Sequence, residues 1–342
     1  MKSADQYRAA GVDLDAAEAA KRKIAGLVAT TRTSDSRGRV GAFGGMVRLP
    51  PGMENPVLVL STDGVGTKVL VARAVGRYDT VGEDLVNHCV NDILVHGARP
   101  LAFLDYLAGA DLPVDAIASL VDGVARGCRA HAMPLVGGET AQMADLYRAG
   151  EFDLAGTILG VVEEGQALHG DAIEPGDVLL GYASSGLHTN GYTLARRILF
   201  DEQGLSPADP LGDTGHTVGE ALLAVHLSYH HAVMPVMSRL HGIAHITGGG
   251  IEGNLTRILP PSCEAVIDPA SWEIPALFRI LQASGRVAIE EMRQVFNLGV
   301  GLIVVLPPDQ VTPVRAAATH AGAATWIMGE VRRGERAVRF AG

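Results

Sequence analysis

Apolar positions along the chain fall into short runs separated by amphipathic stretches, and their alternation predicts a mixed α/β protein. "DLDAAEAAKRKIAGLVATT" at 13–31 reads as a helix whose acidic opening complements its dipole. The glycine-rich "SDSRGRVGAFGGMVRLPPG" at 34–52 reads as a mobile loop or a hairpin carrying a short strand. Strand-like runs follow at 56–61, 101–107, 133–136 and 152–162, with helical stretches near 80–96 and 113–131. After the polar segment 163–177 a second series begins. It gives a strand at 177–183, helices at 191–203 and 217–240, a strand at 243–247 and a short helix at 251–259. A strand at 263–268, a helix at 275–284, a strand at 299–306, a helix at 309–320 and a final strand complete it. The polar segment is the best seam, and 342 residues suit two cores better than one, which predicts domains over 1–168 and 169–342.

Composition narrows the function class. The formal charge of −10, from 28 Lys and Arg against 38 Asp and Glu, comes with no basic cluster, so nucleic acid is not an expected partner. Cys89, Cys128 and Cys263 are scattered, odd in number and without CxxC spacing, which predicts reduced core thiols in a cytoplasmic protein. The N-terminal stretch lacks an apolar signal-like region and no apolar run approaches a bilayer span, so a soluble protein without a membrane partner is expected. The 42 glycines point to tight turns and to backbone that approaches something closely.

Several loops carry candidate chemistry. "STDGVGTK" at 61–68 follows an apolar strand and combines Asp63, Gly64, Gly66, Thr67 and Lys68. Its backbone amides and ammonium suit an anion, but a turn in which Asp63 accepts local amide bonds explains it equally well. It is not a Walker A loop, because Val69 follows Lys68 and the upstream glycine spacing is wrong. In the next helix Val81, Leu85, Cys89 and Ile93 form a buried stripe, while Asp84, His88, Asn91 and Asp92 line another face. Two acids eight positions apart lie about 12 Å apart along a helix, so they suit two ions along a triphosphate rather than one, and a merely solvated face remains the alternative. "MPLVGGETAQM" delivers Glu139, and "DVLLGYASSGLHTNGY" delivers Ser184, Ser185, His188 and Asn190, both after apolar strands. The histidines of "HLSYHH" at 226–231 fall on an apparently amphipathic helix and read as surface or core. "HITGGGIEGNLTRILPP" satisfies GxGxxG through Gly248, Gly250 and Gly253, but Pro260 and Pro261 end its helix too early for a crossover. Capture of a substrate phosphate at 248–250 is the better reading.

In the order found here, "YRAAGVDLDA", "TDGVGTK", "DLVNHCVNDILVHGARPLAFLDY", "LVGGETAQM", "SSGLHTNGY", "ITGGGIEGNLTRILP" and "FNLGVGLIVVLP" resemble the phosphoribosylformylglycinamidine cyclo-ligase (aminoimidazole ribonucleotide synthetase) family over nearly the whole chain. The resemblance implies a two-domain α/β subunit whose N-terminal mixed sheet forms a barrel across a homodimer. It implies ATP-dependent cyclisation of formylglycinamidine ribonucleotide to 5-aminoimidazole ribonucleotide, with release of ADP and phosphate. It places Asp63, Gly64, Gly66, Thr67, Lys68, Asn91, Asp92 and Glu139 around ATP, with Asp63, Asp92 and Glu139 on Mg2+ or its waters and Lys68 on phosphate oxygens. His188, Lys68 and Asp92 become the catalytic candidates, and Ser184, Ser185, His188, Asn190, Gly248, Gly249 and Gly250 the substrate-binding ones. His88 departs from the family pattern, and Val225, His226 and Leu227 stand where it carries Pro-Thr-Arg. A small-molecule kinase of the thiamine-monophosphate kinase kind and a non-enzymatic dimeric platform are the alternatives.

Overall fold

The computed structural model describes residues 14–39 and 41–341, which leaves all but the end of "YRAAGVDLDA" outside the described residues. Two units emerge. One runs through Val90 and resumes over Arg99–Val161; the other joins Asn91–Ala98 to Val162 onward.

The first unit opens with α1 (Leu14–Thr30) and a small antiparallel hairpin of β1 (Ser36–Arg37) and β2 (Met46–Val47). It continues through β3 (Pro56–Gly64), α2 (Lys68–Val75), α3 (Asp79–Leu94), β4 (Arg99–Gly109), α4 (Val114–Ala130), β5 (Leu135–Gln142) and β6 (Phe152–Glu163). The last turn of α3 counts with the second unit. The sheet order is β3-β6-β4-β5, with β4 antiparallel to β6 and parallel to β5. Period-two alternation buries Leu154 and Ile158 of β6 with Phe103 and Leu107 of β4 on one face. On the helical side α3 and α4 cross at glycine, since a Cβ on Gly123 would lie 1.9 Å from the Asp79 carbonyl oxygen. The other face leaves Leu58, Leu60, Leu104 and Tyr106 exposed, Leu60 at 66%.

The second unit contains β7 (Val178–Ala183), α5 (Tyr192–Arg196) running into a π-helical turn (Arg197–Glu202), α6 (Val218–Leu222), α7 (His230–Val233), β8 (Gly242–His245) and α8 (Gly250–Leu255). There follow β9 (Cys263–Ile267), α9 (Ala276–Gly285), α10 (Ile289–Val295), β10 (Val300–Leu306), α11 (Val311–His320), β11 (Thr325–Arg333) and β12 (Ala337–Phe340). The sheet order is β12-β9-β11-β7-β10-β8, antiparallel except for the β12–β9 pair. The unbroken apolar run of β10 is explained by its position: all seven residues are buried, Ile303 and Val305 in one core and Leu302, Val304 and Leu306 in the other.

The largest departure from expectation is at 217–240. α6 stops at Leu222, the 224–229 segment has no regular structure, and α7 runs into a 3-10 turn over Met234–Arg239. Pro235 removes one helical donor. The Asn91 carboxamide supplies what the helix ladder would otherwise give, donating to the Leu227 carbonyl at 2.8 Å and accepting from the Tyr229 amide at 3.0 Å. α2 and α10 are additional short helices, and the final strand is two strands, β11 and β12. The three cysteines are buried and unbridged. No helix among the described residues is long and apolar enough to cross a membrane.

Candidate active site

In the first unit the 61–68 stretch ends β3 and turns into α2. Gly66, at φ +59, provides the left-handed turn residue. Asp63 accepts from the Gly64 amide at 2.7 Å, and its second oxygen lies 2.9 Å from His88 Nε2. The carboxylate is 43% exposed, so it retains a solvent-facing side. Lys68 is placed otherwise than expected: its ammonium is fully buried and pairs with Asp84 at 2.8 Å, itself fully buried. A phosphate cannot meet an ammonium sealed in this way. The pair instead fastens the start of α2 to α3, while burial lowers the Lys68 pKa and Asp84 opposes that shift.

Glu139 is exposed on β5 and lines a cleft of about 930 Å³ with Lys21, Phe43, Thr62, Tyr106 and Thr157. β3 and β5 are opposite edges of the sheet, so Asp63 and Glu139 stand three strand spacings apart, about 14 Å. Carboxylates are the hard donors magnesium requires, but at about 2.1 Å per bond one ion cannot take both residues of one chain.

Asp105, which sequence reasoning passed over, sits between exposed Leu104 and Tyr106 and points to the helical side. Burial pushes its carboxyl up to about 7, against its own backbone amide bond. A carboxyl raised in the folded state costs nothing below its unfolded value of 3.8, and the cost grows until the pH passes 7. Asp105→Asn is therefore expected to match the parent near pH 4 and to exceed it by about 2–4 kcal/mol above pH 7. Urea unfolding at the two pH values checks this, and equal gains at both would refute the assignment.

The second unit gathers the other candidates. Asn91 and Asp92 on the last turn of α3 belong to it, as do the loop after β7 and the end of β8. His188 has the left-handed φ of +59, is 1% exposed, and stacks on His226 with ring centroids 3.9 Å apart. His226 Nε2 lies 3.1 Å from His245 Nε2, and His245 Nδ1 lies 2.8 Å from Asp92. Thr189 Oγ1 is 3.3 Å from His226 Nδ1. Strand β10 can pass beneath only because Gly301 lacks a side chain: a Cβ there would lie 1.9 Å from the Tyr229 hydroxyl and 2.6 Å from the His188 ring. Ser184 and Ser185 are not poised as nucleophiles. Their hydroxyls donate to Gly186 O and Asn297 Oδ1, and to Val225 O. Asn297 also donates to Gly186 O at 2.8 Å and so clamps the loop.

Asn190 Oδ1 borders Gly248, which brings the two loops together. Gly249 and Gly250 take φ of +92 and +62 at the start of the six-residue α8. β8 and β9 lie far apart in sheet order, so the GxGxxG stretch is no dinucleotide-binding unit. His226, Tyr229, His245 and Asn297 were missed from sequence. His226 is fully buried while Leu227 and His231 are exposed, so the stretch 226–231 divides between core and surface, and burial together with His231 pushes His230 down to about 4.

Residues 44–162 match the family described as AIR synthase related protein, N-terminal domain, and residues 174–341 match AIR synthase related protein, C-terminal domain. The chain is 47% identical over 329 residues to a phosphoribosylformylglycinamidine cyclo-ligase of Sorangium cellulosum, covering 95% of this chain and 94% of that one. In fold it is similar to a thiamine-monophosphate kinase from Stenotrophomonas maltophilia, with TM-score 0.68, 20% identity, and coverage of 92% and 94%. It is also similar to the hydrogenase maturation protein HypE in complex with ATP, with TM-score 0.59, 18% identity, and coverage of 90% and 84%. The two distant likenesses share the fold alone, whereas identity near one half across almost the full length is of another order: the chain belongs to the phosphoribosylformylglycinamidine cyclo-ligase family.

Proposed function

We propose that this protein closes the imidazole ring of 5-aminoimidazole ribonucleotide from formylglycinamidine ribonucleotide, converting ATP to ADP and phosphate, a ligase step of purine biosynthesis. The observation that carries this is the 47% identity to a relative of that name across 95% of the chain. The formyl oxygen attacks the γ-phosphorus and ADP departs. The amidine nitrogen then bonds to the formyl carbon, the carbon–oxygen bond breaks to release phosphate, and the nitrogen loses a proton. Catalysis of this kind consists chiefly of positioning and charge neutralisation.

Asp63 and Asp92 are the proposed magnesium donors, on separate ions or their waters, and Glu139 serves the nucleotide from the cleft by the sheet. Bound magnesium supplies neutralisation of the triphosphate charge. Asn91 orders the 227–229 backbone, and Lys68 acts as a positioning residue that fixes the glycine turn through Asp84. His188 hydrogen-bonds the transferring phosphoryl group or moves the proton. Ser184, Ser185 and Asn190 shape the substrate loop, and 248–250 receives the ribose phosphate. The uncovered sheet face with Leu58, Leu60, Leu104 and Tyr106 closes against a second copy, giving a barrel across a homodimer.

Purified protein with ATP and magnesium is expected to sediment as a dimer and to form the aminoimidazole product, detected spectrophotometrically, only when the amidine is present. ATP consumption with thiamine monophosphate alone would overturn the ring-closure reading, and a monomer at micromolar concentration would overturn the barrel.

A further inference from the structure

We propose that, within the ring-closure reading above, Asn297 is a positioning residue: its carboxamide sets the geometry of the 184–191 loop and, through that loop, the placement of His188. The loop lies between β7 and α5 and has neither strand nor helix bonding of its own. It also carries positive φ at Gly186, +147, and at His188, +59. The second is a conformation that a side chain disfavours, so the surrounding structure has to impose it.

Two hydrogen bonds to the 297–299 turn fix the start of the loop. The Ser184 amide donates to the Gly299 carbonyl at 2.9 Å, and Asn297 Nδ2 donates to the Gly186 carbonyl at 2.8 Å. The orientation of the carboxamide follows from its partners. The Gly299 amide, which can only donate, lies 2.9 Å from Oδ1, and the Gly186 carbonyl can only accept, so exchanging oxygen and nitrogen would break both bonds. Asn297 is 5% exposed, so water does not readily replace either of them.

The turn is itself held firmly, and it serves more than one loop. Leu298 and Gly299 take φ of +51 and +96, the Val300 amide donates back to the Asn297 carbonyl at 3.0 Å, and Trp272 Nε1 donates to the Leu298 carbonyl at 3.0 Å. Behind it stands the fully buried β10. Phe296 packs on Gly191, where a Cβ would lie 2.5 Å from the ring, and the Arg293 carbonyl abuts Gly250, where a Cβ would lie 1.8 Å away. The 293–299 segment thus touches both substrate loops and sets one against the other. A shift of about 1 Å between groups that must meet in a reaction can cost about 100-fold in rate.

Asn297→Asp keeps the size of the side chain and the acceptor for the Gly299 amide, but sets a carboxylate oxygen against the Gly186 carbonyl. Once protonated, the same carboxyl can donate there. At about pH 8.5 its kcat is expected to fall about 100-fold below the parent's, with the KM for ATP changed by less than about threefold, and at about pH 6 to return to within about tenfold. Hydrogen exchange followed by mass spectrometry, without ATP or ribonucleotide, should show faster exchange over 184–191 at the higher pH. Far-UV spectra and unfolding midpoints at both pH values report folding. A merely structural role would lower the midpoint and leave the kcat of the folded protein at the parent's value. If Asn297→Asp does not fold, Asn297→Ser, whose hydroxyl falls short of the Gly186 carbonyl, should give the same loss of kcat without recovery at low pH. Parental kcat in a folded variant, or unchanged exchange over 184–191, would overturn the proposal. Product formation by the parent tests the ring-closure reading separately, and the exchange experiment decides the role of Asn297 in the loop whatever that outcome.

Discussion

Asp92→Asn is expected to lower substrate-dependent ATP turnover by about 100-fold or more while leaving the unfolding midpoint nearly unchanged. Asp92 accepts from His245 Nδ1 at 2.8 Å with its side chain 23% exposed, so it touches the histidine cluster and still faces solvent. An asparagine oxygen can receive the same proton and keep the ring oriented. What it cannot do is carry the negative charge that a magnesium ion or an imidazolium requires. The shape of the site survives and its electrostatics do not. ADP release measured against ATP concentration, with far-UV spectra of both proteins, checks this; near-normal turnover removes Asp92 from the catalytic set.

Lys68→Met should destabilise the protein by about 3–5 kcal/mol, because it strands the fully buried Asp84 carboxylate without its cation. The double variant Lys68→Met, Asp84→Leu should recover most of that loss, since two apolar groups need no compensation in a dry site. Urea titrations at neutral pH of the parent, both single variants and the double variant give the coupling directly. A single-variant loss below about 1 kcal/mol, the range of exposed pairs, would mean that water reaches the pair.

Much of the architecture was written in local patterns. The run 299–306 read as a strand and is one, and the alternation at 152–162 matches the buried positions of β6. The loops carrying His188, Asn190 and Gly248 also read as strand-end features, and they do meet. What could not be read was set at long range. A lysine after a glycine turn looks the same whether it reaches for phosphate or turns inward, and only Asp84, a residue of the next helix, decides it. Likewise 217–240 has helical periodicity, but the Asn91 carboxamide bonds its backbone at Leu227 and Tyr229, so the helix breaks there and His226 drops into the interior. The one sequence signal was the departure from the family pattern at 225–227. Asp105 gave none, because a carboxylate between two apolar residues on a strand alternates as a surface residue would.

Strand β10 illustrates how unevenly such a site constrains its own variation. At Leu302, Val304 and Leu306 neighbouring aliphatics could trade places with modest repacking. At Gly301 even a methyl group would fall inside the Tyr229 hydroxyl. A position with no side chain to bond or react is thereby the least replaceable of its strand, closed to drift by lack of room rather than by any chemistry of its own.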